Sequence, residues 1–181
     1  TDLSDFLRGL RHGCLTSVAR RYIPHESIEE QWDIDGLANT LLGDYQIDAQ
    51  LRTALEEAEE LDDEALVARV CRATDDAYSG KLAMLSPGAF LEFERSMLLH
   101  HIDHAWREHL AALDHLRQGI HRRGYAQKDP KQEYKREAFA LFEQLLERVR
   151  DDVTRVLITV QISSEEEAAK EPSAGEKQGK R

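Results

Sequence analysis

Cysteine and proline are scarce in these 181 residues, with two and four copies, and aromatic side chains make up only 7%. The two cysteines, Cys14 and Cys71, share no CxxC or Cys/His spacing, which argues against a disulfide framework or a cysteine-rich metal site. Each falls in a helical pattern, where it serves as a small apolar side chain. No apolar run approaches the roughly 18 residues of a membrane span. No charged-then-apolar leader opens the chain, so a soluble module is expected. Alternating runs of Val, Ile, Thr or Tyr are nearly absent, and only ten glycines and four prolines interrupt the sequence. An all-α fold is therefore expected, and 41% hydrophobic content is enough for the core of one domain or two small ones.

Catalytic signatures are missing as well. There is no GxxxxGK[ST] phosphate loop, no GxSxG elbow and no HExxH pair, since Arg107-Glu108-His109 runs on into Leu110. The expectation is no catalytic residue, no metal and no cofactor within this chain.

What is present is charge, 33% of all residues with a net of −11, and it is unevenly placed. Residues 25–64 carry fourteen acids against Arg52 alone. Residues 117–136 carry seven bases against Asp129 and Glu133. The acidic average argues against general nucleic-acid affinity, while the basic window marks a local contact surface.

Periodicity places the helices. Phe6, Leu7, Leu10, Cys14, Leu15, Val18 and Tyr22 form one stripe that Pro24 ends. Ser27-Ile28-Glu29-Glu30 has capping-box form. Ile34, Leu37, Leu41 and Leu42 make a short amphipathic helix before Gly43, and a further helix starts near Asp62 and runs to about Met84. Ser86-Pro87 then opens a long helix, about 50 Å at roughly 1.5 Å per residue, with no further Gly or Pro after Gly88 until Gly119. Its main stripe is Leu91, Leu98, Ile102, Ala105, Trp106, Leu113, Leu116 and Ile120. Asp129-Pro130 starts a last helix with Phe139, Phe142, Leu146, Val149, Val153, Leu157 and Val160 on one face. The two long helices should pair as an antiparallel hairpin with its tip at about 121–129. Phe90, Phe93 and Met97 lie away from the main stripe and need a second partner, either the acidic helical region or chain beyond the hairpin. After Ile162 the composition turns polar, as in a disordered tail.

Several residue groups admit two readings. His100, His104 and Glu108, with His101 beside them, have a spacing that can hold a divalent metal, but solvated surface residues are the plainer account. His109 falls within the apolar stripe, as a core histidine would. Trp106 fits packing better than ligand stacking. At the tip, Arg122, Arg123, Gly124, Tyr125 and Lys128 set a tyrosine beside a glycine among cations, where a structural turn needs no large aromatic. A binding tip and a tyrosine folded back on the hairpin both remain open, and a nucleic-acid-binding hairpin is the alternative function.

The stretch LRQGIHRRGYAQKDPKQEYKREAF, Leu116 to Phe139, resembles the signature of SecA, the bacterial preprotein translocase motor, and ERSMLLHHIDHAWREHLAALDHLRQ and IPHESIEEQWDIDGL extend the likeness over nearly all of residues 1–162. The resemblance implies a helical wing domain at 1–86, a helical scaffold segment with the two-helix finger at 87–162, and a tail at 163–181. It further implies that Tyr125, with Gly124, Arg122, Arg123 and Lys128, contacts the moving polypeptide and the SecY channel (SecYEG). Trp106, Phe90, Phe93 and Met97 would take part in regulatory packing. The implied partners are the unfolded preprotein, the nucleotide-binding and preprotein-binding domains of the parent motor, and an anionic membrane surface, with no nucleic acid. ATP and Mg would belong to the parent's other domains, and the implied location is cytoplasmic, peripheral at the inner face of the plasma membrane.

Overall fold

The computed structural model describes residues 2–57, 61–120 and 129–161. Among them the chain forms six α-helices and no strand: α1 (Leu3–Arg20), α2 (Ile34–Tyr45), α3 (Leu51–Glu57), α4 (Asp63–Leu82), α5 (Pro87–Ile120) and α6 (Pro130–Thr159), with a 3-10 turn at Glu29–Gln31.

Local chemistry sets most boundaries. The Asp62 carboxylate accepts from the Ala65 amide at 2.7 Å and starts α4, and Asp129 does the same for Lys131 at 3.0 Å ahead of Pro130 in α6. Asp33 caps α2 by accepting from the Gly36 amide at 2.9 Å. That helix does not stop before Gly43 as expected but continues to Tyr45, and Gln46 ends it in the left-handed region at φ 57°. Burying the Tyr45 ring in the core outweighs the roughly 1 kcal/mol that glycine costs inside a helix. The expected capping box at Ser27 is also displaced. The Ser27 hydroxyl donates to the Pro24 carbonyl and accepts from the Trp32 indole at 2.7 Å, while Gln31 reaches back to the Ile28 amide at 3.2 Å.

Two cores result. The first joins Cys14, Leu15, Val18, Leu37, Leu41, Leu66, Val70 and, from the far end of the chain, Ile158. The second gathers Leu7 of α1, Tyr78 of α4, Phe90 of α5, and Val153 and Leu157 of α6. The last turns of α6 therefore belong to both, and Lys81 of α4 donates to the Val160 carbonyl at 2.6 Å, closing that helix end. Both cysteines are buried and free. Burial pushes the Cys14 thiol up to about 11, so it stays protonated and behaves as a small core residue.

Candidate functional site: a two-helix hairpin with an open apolar flank

Helices α5 and α6 lie against each other along their length. Ala105, His109 and Ala112 of α5 line, together with Leu141, Gln144 and Leu145 of α6, a narrow cleft of about 200 Å³ between the two helices. Leu116 and Ile120 are buried toward the tip. Glu108 and Arg148 form an ion pair across the hairpin, joined by His104 at 3.2 Å and Asp152 at 3.7 Å. His109 is buried, with the Trp106 ring 5.5 Å and the Phe142 ring 6.0 Å from its own, which fits the core reading of this histidine.

The large apolar residues of the expected stripes point elsewhere. Trp106 is 46% exposed, Leu146 53% and Phe139 61%, and Ile102 and Phe142 are also open. Each helix carries an apolar arc broader than one partner can cover, and the alanines and inner leucines occupy the shared part. The remainder forms a groove of about 460 Å³ lined by Leu98, Ile102, Trp106 and Leu146 together with Phe6 and Leu10 of α1. The contribution of α1 was not readable from the sequence, because no periodicity links residues so far apart in the chain.

Phe90, Phe93 and Met97 have the second partner their position demanded. Phe90 is 1% exposed and packs with Leu7, Tyr78, Val153 and Leu157, while Phe93 and Met97 flank that cluster. Helices α1, α4 and the end of α6 thus cover this face. The tip residues Arg122, Arg123, Gly124, Tyr125 and Lys128 lie outside the described residues.

Among the described residues, the His/Cys/Asp/Glu group with ligand atoms within 4.8 Å of one another is His25, Asp63 and Glu64, not the His100–His104–Glu108 face. A guanidinium already serves there as the cation. Arg20 donates to Asp63 at 2.6 Å and also to Glu64. The Arg20 hydrogen bond holds the Asp63 carboxyl below the usual aspartate range. A group with a depressed folded pKa stabilises above its unfolded value and loses that contribution as pH falls through the folded one. The gap in melting temperature between the unaltered chain and Asp63→Asn should therefore be full at neutral pH. It should shrink as pH drops below about 3.9, the ordinary aspartate value. A gap that stays constant down to acid unfolding would remove the ion pair from the account.

Two long helices are pinned at one end into a helical body and, among the described residues, are open along one flank, an all-α scaffold architecture. The chain belongs to the SecA wing and scaffold family, whose description, SecA Wing and Scaffold domain, matches residues 1–161. It is 51% identical over 98% of its length to the protein translocase subunit SecA of Variovorax paradoxus and 52% identical over 91% to that of Methylibium petroleiphilum. It spans only 19% and 18% of those two relatives. No helix among the described residues is long and apolar enough to cross a membrane.

Proposed function

We propose that this chain is the lever of a SecA export motor, a hairpin whose tip meets the moving polypeptide and the mouth of the SecY channel. The observation that carries this reading is the asymmetry of the hairpin. Its root is fixed in two cores by Phe90, Val153, Leu157 and Ile158, whereas toward the tip, among the described residues, the two long helices pack on each other. A rod held at one end transmits motion to the other. On this reading Tyr125 would grip substrate chiefly through its ring, Gly124 would contribute to the tip beside it, and Arg122, Arg123 and Lys128 would meet channel loops or anionic headgroups.

The open groove around Trp106 docks on the remaining four-fifths of the parent chain, where nucleotide binding and hydrolysis take place with ATP and Mg. The length of chain missing here supports that occupant, because a face this apolar is seldom left to water in a finished protein. Nucleotide-dependent movement of those domains would then reach the tip through α5 and α6.

A photo-crosslinking residue in place of Tyr125, in the full-length motor with a secretory substrate stalled in transit, tests the reading. Adducts to substrate and to channel protein are expected. Adducts confined to the same chain would mean that Tyr125 merely closes the hairpin.

A further inference from the structure

Away from the groove and the tip, buried charged and polar groups meet at the root of the hairpin. Arg11 of α1 and Glu94 of α5 are both buried, and Tyr78 of α4 stands between them. The Tyr78 hydroxyl donates to the Glu94 carboxylate, and the Arg11 guanidinium carbon lies 3.8 Å from the Tyr78 ring centroid. Phe90 meets the same ring edge-on at 5.6 Å. Asp75 of α4 accepts from Arg11 Nη2 at 3.3 Å and lies 2.8 Å from the His12 ring. Burial, followed by the Glu94 acceptor, pushes the Tyr78 phenol up, so it keeps its proton and donates.

This network is a poor way to gain stability. Arg11 Nε and Nη1 are buried and reach no acceptor among the described residues, so the guanidinium has given up water without full replacement. What polar contacts supply and apolar ones do not is direction. Apolar packing is indifferent to small rotations, whereas a hydrogen bond weakens steeply as its angle departs from linear. The three groups come from three different helices at the point where α5 leaves the body.

We propose that Arg11, Tyr78 and Glu94 form an angular latch that fixes the direction in which the hairpin leaves the body made by α1 and α4. The inference concerns geometry and stands whether or not the tip grips a polypeptide. From Glu94 to Gln118 the helix runs about 36 Å at roughly 1.5 Å per residue, so a tilt of about 10° at the latch displaces Gln118 by about 6 Å.

The test uses the full-length protein without nucleotide, carrying spin labels on p-acetylphenylalanine at the exposed positions Asp76 of α4 and Gln118 of α5. The otherwise unaltered protein should give one narrow distance peak. Tyr78→Phe keeps the ring but removes the donor, and should shift or broaden the peak by about 6 Å, the lever-arm estimate above. Glu94→Gln retains an acceptor oxygen and should keep the peak narrow. Val70→Ala loosens the first core without touching the latch and should lower the melting temperature while leaving the peak in place. An unchanged peak in Tyr78→Phe would overturn the proposal, and so would equal broadening in Val70→Ala.

Discussion

In the full-length motor, Tyr125→Ala is expected to lower the rate of preprotein transport by about tenfold or more while basal ATP hydrolysis stays within about twofold. A buried or gripped tyrosine at the centre of a contact carries on the order of 2 kcal/mol, and each 1.4 kcal/mol is a factor of ten. Tyr125→Phe keeps the ring and should recover most of the loss, because a varied polypeptide offers the hydroxyl no fixed partner. On the proposed reading, basal hydrolysis belongs to domains outside this chain and would sense the tip only when substrate loads it. If Tyr125→Ala reduces transport and basal hydrolysis equally, the residue supports the motor's fold or docking and grips nothing.

The second large effect separates two aromatic residues on one helix. Phe90→Ala should destabilise this chain by about 3–5 kcal/mol, the range for emptying a phenylalanine site in a packed core. That ring is 1% exposed and touches α1, α4 and α6 together, so the space it leaves cannot collapse from one side alone. Trp106→Ala, at 46% exposure, should change stability by less than about 1 kcal/mol despite the larger side chain. Urea denaturation of the chain, followed by helical circular dichroism, measures both. Similar losses for the two would mean that the Trp106 flank is closed in solution and that the groove is no docking face.

The sequence announced the helix starts at Pro87 and Pro130 clearly, because an N-cap followed by proline is a signal contained within three residues. Stops were harder to read. Gly43 signalled an end that the burial of Tyr45 overrode, and the actual stop at Gln46 is a left-handed residue that no local rule required. Periodicity located the apolar faces of α5 and α6 but could not say which part of each arc would be shared. In the structure Ala105 and Ala112 lie on the side shared with Leu141 and Leu145, while Trp106 and Leu146 lie outside it. The second partner of Phe90 was required by its position, but its identity, α1 with α4 and the end of α6, depends on contacts between residues far apart in the chain. Arg11, Tyr78 and Glu94 gave no signal for the same reason. The tip reading rests on a combination of residue types and on a family likeness, and those residues lie outside the described ones.

Because Val153, Leu157 and Ile158 complete cores that begin with Leu7 and Cys14, neither core can close until the end of α6 has been made and has left the ribosome. About nine-tenths of these residues must be made before α1 meets its last partner, a long-range closure of the kind that slows folding. Until then Leu7, Phe90 and Tyr78 face water, and nascent chains ending before Val153 should be markedly more prone to aggregate or to hold a chaperone than chains ending after Val160.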